Sequence, residues 1–299
     1  MLSEGVTENA TIPASLAGYT GFLLRRVFVY ATQVIQELMP AGTHLRDVTI
    51  LNALANGVPR SQQELASALG INRTIMVKLI DRLEGAGYVE RRRNPQDRRS
   101  YLLSVTPAGH RARQELTPLV LEGQRRVTAP LAPADIARLS TLLERLFPEF
   151  TWPMPEAPNW RCVALVACGY QQLRSRTDEA LADTGLQVRH LGVLIVLADL
   201  EPCTQQRLAA ELGLTEPVMV QLIDYLERGG LVDRRRHPED RRRYALTLTA
   251  SGRDRLQRAR AVIDEIQAWI RHTLGEQELK ELHHLLLQLL PETTAPVRR

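Results

Sequence analysis

A stretch of 49 residues occurs twice in this chain, at a fixed offset of 143. Residues 61–109 read SQQELASALGINRTIMVKLIDRLEGAGYVERRRNPQDRRSYLLSVTPAG, and residues 204–252 read TQQRLAAELGLTEPVMVQLIDYLERGGLVDRRRHPEDRRRYALTLTASG. They share 26 identities and need no gap. The register continues outward: Gly42, Arg46, Leu51, Leu54 and Pro59 pair with Gly185, Arg189, Leu194, Leu197 and Pro202. Leu131, Leu139, Leu142, Leu146 and Pro148 pair with Leu274, Leu282, Leu285, Leu289 and Pro291. Residues 17–148 thus repeat as 160–291, and whatever one copy folds into, the other must fold into as well. Two copies of a unit this long make two domains; a solenoid uses shorter repeats in greater number.

At 299 residues and 44% hydrophobic content, the chain can bury two ordinary cores. The longest apolar runs, such as Val193–Ala198, are far short of the ~20 residues a membrane span needs, and no secretory leader is visible. Three cysteines without C-x-x-C spacing argue against a disulfide framework or a zinc site. A soluble, cytoplasmic protein is expected, without cofactor or metal. The net charge of +4 hides a concentration of charge. Arg91–Arg99 and Arg234–Arg243 each carry +4, so the remainder of the chain carries −4. Only Lys78 and Lys280 are lysines, so Arg is favoured everywhere, yet that bias does not explain clustering in two equivalent places. An anionic partner would read such clusters.

Within copy one, helices are expected over about Leu16–Met39 and Leu45–Asn56, the second stopping before Gly57 and Pro59. Ser61-Gln62-Gln63-Glu64 has the form of a capping box opening a short helix that breaks at Gly70. Asn72, or Thr215 in copy two, can cap the next helix. Met76, Leu79, Ile80 and Leu83 fall at i, i+3, i+4 and i+7, a single buried stripe repeated by Met219, Leu222, Ile223 and Leu226. Gly87 or Gly230 ends that helix. Tyr88–Arg91 and Tyr101–Val105 then form two strands of a hairpin with an Arg-rich loop, turned by Asn94, Pro95 and Asp97. Thr106 opens a long helix with a bend or break expected near Pro118, whose counterpart is Ala261, and a last helix covers about Pro133–Leu146. The expected organisation is a first unit over 1–148 (winged helix about 45–106), a Pro-rich linker over 149–159, and a second unit over 160–299 (winged helix about 187–249). The fold class is mainly α, with an α+β winged helix in each unit.

Two short helices, a tight turn and a basic hairpin suit DNA. An exposed helix face enters the major groove, while guanidinium groups on the hairpin reach phosphates or the narrow minor groove. Off the buried stripe of the second helix (72–86) lie Asn72, Arg73, Thr74, Ile75, Val77 and Lys78, and in copy two (215–229) Thr215, Glu216, Pro217, Val218, Val220 and Gln221. Arg73 and Lys78 can pair with guanine or phosphate, and Ile75 and Val77 can touch thymine methyls. The ordinary alternative, a solvated helix face, fits poorly with β-branched apolar residues beside an Arg cluster. On the hairpins the candidates are Arg91, Arg92, Arg93, Arg98 and Arg99, and Arg234, Arg235, Arg236, Arg241, Arg242 and Arg243.

The strings LIDRLEGAGYVERRRNPQDRRSYLLSVTPAG and LIDYLERGGLVDRRRHPEDRRRYALTLTASG resemble the signature region of MarR-family transcriptional regulators. Each carries the D-x-R of the wing (Asp97–Arg99, Asp240–Arg242) and the opening of the following helix. The resemblance implies a homodimeric arrangement with interlocking terminal helices, one recognition helix and one wing per half, on a palindromic operator. It further implies that Arg99 and Arg242 enter the minor groove and that Asp97 and Asp240 brace the wings. Here one polypeptide holds both halves. The expectation is two tandem MarR-like domains packed as a pseudo-two-fold dimer within one chain, a monomer acting as a repressor on one double-stranded operator. The copies differ where bases would be read: Arg73, Thr74, Lys78 and Arg82 become Glu216, Pro217, Gln221 and Tyr225, so the operator is expected to be asymmetric.

The resemblance also implies a small aromatic or antibiotic-like effector, with His44, Arg46, Arg189 and His190 as polar residues in the expected region. Cys162 and Cys168 lie roughly where a peroxide-sensing branch keeps its thiol, but their counterparts are Tyr19 and Arg25, and a buried, unreactive role is favoured. His283 and His284 suggest core or interface. No catalytic constellation stands out, and no enzyme is expected. Two other readings stay open: a tandem winged-helix replication initiator, and a sensor with one degenerate DNA-binding half, which Glu216 encourages.

Overall fold

The computed structural model describes residues 12–55, 60–69, 71, 73–94, 101–148, 158–236 and 244–291. The copies follow the same element order. Copy one runs α1 (Thr20–Leu38), α2 (Leu45–Leu54), β1 (Arg60–Ser61), α3 (Gln62–Ala68), α4 (Arg73–Gly85), β2 (Val89–Arg93), β3 (Tyr101–Val105), α5 (Pro107–Thr128) and α6 (Pro133–Leu146). Copy two runs α7 (Pro158–Ala180), a single 3-10 turn at Ala182–Thr184, α8 (Val188–Leu200), α9 (Gln205–Leu212), α10 (Glu216–Arg228), β4 (Val232–Arg236), β5 (Tyr244–Leu248), α11 (Ala250–Leu274) and α12 (Glu276–Gln288).

The short helices start where side chains can satisfy free backbone amides. Ser61 Oγ accepts from Glu64 N (3.2 Å) while Ser61 N donates to Glu64 Oε2 (2.8 Å), the reciprocal pair the capping box requires. In copy two Thr204 Oγ1 accepts from Arg207 N (3.2 Å). Thr215 occupies the cap position of α10, but its side chain makes no cap bond. Pro217, at the second helical position, has removed one of the two amides such a cap would serve. Gly87 and Gly230 close α4 and α10 with φ of +72° and +67°, a region where a Cβ is costly. Of the bend or break expected near Pro118, the break does not occur: α5 runs unbroken from Pro107 to Thr128. Leu116 and Val120, buried on either side of Pro118, hold the turn in the core.

In copy one the sheet order is β1-β3-β2, all antiparallel, with Val89 opposite Val105 and Arg93 opposite Tyr101. In copy two β4 pairs with β5, Val232 opposite Leu248 and Arg236 opposite Tyr244. The Arg60–Leu103 pairing of copy one has its counterpart in a single bridge between Cys203 and Leu246. The stripes predicted from periodicity form the centres of two cores. Met76, Leu79, Ile80 and Leu83 pack with Leu51, Leu54, Leu65, Val89 and Leu103. Met219, Leu222, Ile223 and Leu226 pack with Leu194, Leu197, Leu208, Val232 and Leu246.

The chain forms two compact units, and each draws on both copies. One comprises copy two from Gly169 to residue 291 together with residues 12–29 and Thr141–Phe147 of copy one, among the described residues. Within it Leu16 joins the copy-two core, Tyr19 and Phe22 pack against that core, and Phe28 stacks on Tyr170 with centroids 5.1 Å apart. The other comprises Tyr30–Ser140 of copy one together with Pro148 and residues 158–168, among the described residues. Within it Val163 packs with Ala31 and Val127, and Ala164 packs against Ile35, Val48 and Leu116. A repeat read along the sequence therefore differs from a unit read by packing.

Candidate nucleic-acid interface

With the apolar stripe of α4 turned inward, Arg73, Thr74, Val77 and Lys78 are left exposed and Ile75 half-buried. In α10 the same geometry exposes Glu216, Pro217, Val220 and Gln221 and half-buries Thr215 and Val218. Asn72 lies outside the described residues. Ile75 and Val218 each pack against their own core, so part of their surface is already spoken for. Val77 and Val220 are different: they are 38% and 39% exposed, at equivalent places on the two helices. Every large hydrophobic side chain exposed among the described residues lies on α4, α10 or a hairpin. These are Val77 and Val220, Tyr101 and Tyr244, and Tyr225.

The arginines of the hairpin fall into two groups. Arg91 turns back to α4, where it pairs with Asp81 and Glu84. Arg234 does the same on α10, pairing with Asp224 and, at 3.0 Å, with Glu227. These two guanidinium groups tie the hairpin to α4 or α10, a role different from the groove contact expected of them. Arg92 and Arg235 project outward, each beside one carboxylate of its own strand (Glu90 at 2.7 Å, Asp233 at 2.9 Å). Exposed pairs of this kind are worth only ~0–1 kcal/mol, so a phosphate can take over either arginine. Arg93 and Arg236 are exposed at the outer ends of β2 and β4. Asp97, Arg98, Arg99, Asp240, Arg241, Arg242 and Arg243 lie outside the described residues. The acidic braces Asp81 and Glu84 were readable in the repeat, since Asp224 and Glu227 preserve both charge and spacing.

A second tie to the recognition helix differs between copies. In copy one Arg82 of α4 pairs with Asp47 of α2, a carboxylate only 6% exposed that also accepts from His44 N (3.0 Å). The counterparts are Tyr225 and His190, which stack with ring centroids 4.2 Å apart and planes at 10°. Tyr225 Oη donates to Gly185 O (3.1 Å), and His190 Nδ1 accepts from Gln187 N (3.2 Å). An ion pair has been exchanged for an aromatic stack at the same joint. Both members changed together, as they must: a buried carboxylate facing tyrosine would lose its compensating charge.

His190 is 2% exposed, and its pKa is pushed down to about 4, first by burial and then by the nearby Arg189 charge. The folded protein therefore favours the neutral ring, whereas an unfolded chain protonates near pH 6.5. Stability from this site is fully present above about pH 6.5 and is lost as pH falls toward 4. Thermal unfolding of His190→Phe, which keeps the stack without a titrating nitrogen, should be flatter than wild type across that window. Identical pH profiles would contradict the assignment.

Of the other residues in the expected effector region, Arg189 and His44 are exposed and Arg46 is half-buried. His44 and Arg46 belong to one compact unit, and Arg189 and His190 to the other. Burial pushes the Cys162 and Cys168 thiols up to about 12 and Cys203 up to about 11. That is the reverse of what a peroxide-sensing thiolate needs. His283 Nε2 lies 2.8 Å from Thr20 Oγ1 in a packed setting, and His284 is exposed. No helix among the described residues is long and apolar enough to cross a membrane.

The architecture and its surface define a class: a tandem winged helix-turn-helix protein, each copy presenting one helix face and one basic hairpin. Residues 41–100 and 184–243 match the model of the MarR family. A transcriptional regulatory protein assigned to the hcr operon of Thauera aromatica is 33% identical over 141 residues, spanning 46% of this chain and 83% of that protein. The HTH-type transcriptional regulator BilQ of Clostridium symbiosum is 30% identical over 109 residues, spanning 36% of this chain and 76% of BilQ. A MarR-family regulator of Rhodococcus sp. RHA1 matches in structure with a TM-score of 0.41 and 26% identity, over 45% of this chain and 97% of that one. The chain belongs to the MarR family of transcriptional regulators, in a form that carries the family's DNA-binding unit twice.

Proposed function

We propose that this regulator is a covalently fused pseudo-dimer, a monomer in solution that occupies one whole operator. Helices α4 and α10 enter successive turns of the major groove, and the two Arg-rich wings enter the flanking minor grooves. Linking the halves makes the second engagement intramolecular, at high effective concentration. The observation that carries the reading is the pair of recognition faces. They share the same buried stripe and the same exposed valine, yet differ at Arg73/Glu216, Thr74/Pro217 and Lys78/Gln221. The shared part maintains the fit to a groove, and the differing part reads different bases. Arg73 and Lys78 suit guanine or phosphate, and Gln221 suits adenine. The operator is accordingly asymmetric, with half-sites about one helical turn apart. The regulator acts as a repressor, released by a small aromatic or antibiotic-like effector, and works in the cytoplasm on the nucleoid.

The test is footprinting of the full chain at its own promoter, together with its mass in solution. Arg73→Ala is expected to cost roughly 1–3 kcal/mol and relax one half-site, while Glu216→Ala acts only on the other. A perfect palindrome bound by two chains, or equal behaviour of the two variants, refutes the proposal. Glu216 supports one competing reading. An exposed carboxylate in the first turn of α10 meets phosphates poorly, as it would in a degenerate second half. In that case Gln221→Ala and Val220→Ala would leave both footprint and affinity unchanged.

A further inference from the structure

Each hairpin carries an exposed tyrosine. Tyr101 is 48% exposed and Tyr244 is 62% exposed. They occupy equivalent places at the start of β3 and β5, and directly opposite each stands an exposed arginine, Arg93 or Arg236. Residues facing each other across an antiparallel pair share one side of the sheet, and that side recurs every second residue. Arg91 and Leu103 are thus on the same side as Arg93 and Tyr101, and Arg234 and Leu246 on the same side as Arg236 and Tyr244. Leu103 and Leu246 are core residues, and Arg91 and Arg234 reach the recognition helix. The Tyr–Arg pair therefore stands on the recognition-helix side of the wing. It lies one pleat repeat, about 7 Å, farther out than the bracing arginine, beyond the end of the core.

When a helix lies in the major groove and the wing in the adjacent minor groove, the sugar–phosphate ridge between those grooves must pass between helix and wing. We infer that Arg93 with Tyr101, and Arg236 with Tyr244, clamp that ridge. The phenol donates a hydrogen bond to a phosphate oxygen, the ring packs on the neighbouring deoxyribose, and the guanidinium neutralises the phosphate. The inference rests on the DNA-binding reading above. It adds two tyrosines as backbone contacts that position each wing without reading sequence. A tyrosine suits the place because its apolar body and polar tip match sugar and phosphate in turn. The Tyr–Arg pair is kept in both copies while the faces of α4 and α10 diverge.

The test uses the full chain, an operator selected from a pool of random duplexes, and an unrelated duplex of equal length. Tyr101→Ala and Tyr244→Ala should each weaken binding about 10-fold on both duplexes, the order expected of one hydrogen bond to a charged acceptor. The slope of affinity against salt should not change, because no charge is lost. Tyr→Phe, which keeps the ring and the fold, should show a smaller loss. It should also weaken, without abolishing, interference by ethylation of one phosphate in the affected half-site, because the arginine still meets that phosphate. Arg93→Ala should lower the slope by about 1. If both Tyr→Ala variants bind as wild type while Arg73→Ala is weakened, the clamp is wrong and the DNA-binding reading stands. If wild type binds neither duplex, that reading itself fails and takes the clamp with it. A loss confined to the operator would make the tyrosines readers of sequence and also overturn the clamp.

Discussion

Gly252→Ala is expected to destabilise the second winged helix by ~3 kcal/mol or more, and Gly109→Ala to do the same to the first. A Cβ at Gly252 would sit 2.0 Å from Leu231 O and 3.0 Å from Leu231 C, and one at Gly109 would sit 2.1 Å from Tyr88 O and 2.7 Å from Val105 Cγ1. The obstacle is main chain, and it is tied down. Leu231 O accepts from Thr249 N (3.1 Å), and Tyr88 O accepts from Thr106 N (3.0 Å). The threonine hydroxyls complete the staple. Thr249 Oγ1 donates to Gly230 O (2.7 Å) and accepts from Gly252 N (2.9 Å). Thr106 Oγ1 donates to Gly87 O (2.6 Å) and accepts from Gly109 N (3.0 Å). Moving the helix start by the ångström a methyl needs would break this set in one step. Gly192 is the control: it lies inside α8 with nothing within 4 Å of its Cβ position. There alanine should stabilise by roughly 0.5–1 kcal/mol. Denaturant unfolding of the three variants checks the claim, and a Gly252→Ala protein as stable as wild type would sink it.

The second large effect is on DNA affinity. With about 8 phosphates neutralised, log affinity should fall against log salt with a slope near −7, losing about 10³–10⁵ between 50 and 200 mM. The structure divides the arginines that set this slope from those that do not. Arg91 and Arg234 are held by two carboxylates each, so their removal should loosen the wing while leaving the slope nearly unchanged. Arg92, Arg93, Arg235 and Arg236 stand outward, and each alanine there should reduce the slope by about 1. Titrations at four or more salt concentrations would separate the groups. A flat salt response, or an Arg91→Ala slope that drops as far as that of Arg93→Ala, would contradict this division.

Much of this molecule is written in short-range pattern. The buried stripes on α4 and α10, the capping box at Ser61 and Glu64, and the extent of α6 depend on neighbours within about four residues, where periodicity and capping chemistry speak directly. Pro118 misled for the same reason. Local preference argues for a break, whereas burial of Leu116 and Val120 keeps the helix whole. Arg91 and Arg234 also misled, because a run of arginines on a hairpin reads as uniformly outward. The strand turns Arg91 and Arg93, or Arg234 and Arg236, to the same side, and only the one nearer the core reaches Asp81 and Glu84, or Asp224 and Glu227.

By itself, the amino-acid order established the duplication, the family, the helix–turn–helix followed by a basic hairpin, and the divergence of the exposed faces of α4 and α10. All of these are carried by residue type and spacing along the chain. Only the folded chain decided which arginines brace and which project, and that each copy's first helix is divided between the two compact units. It also decided that Asp47 with Arg82 and His190 with Tyr225 are two solutions to one joint. Those partners are 35 residues apart, and each by itself looks like an ordinary polar residue on a helix. Each pairing arises when its own core closes and brings faces distant in sequence together, and no period in the sequence records that event.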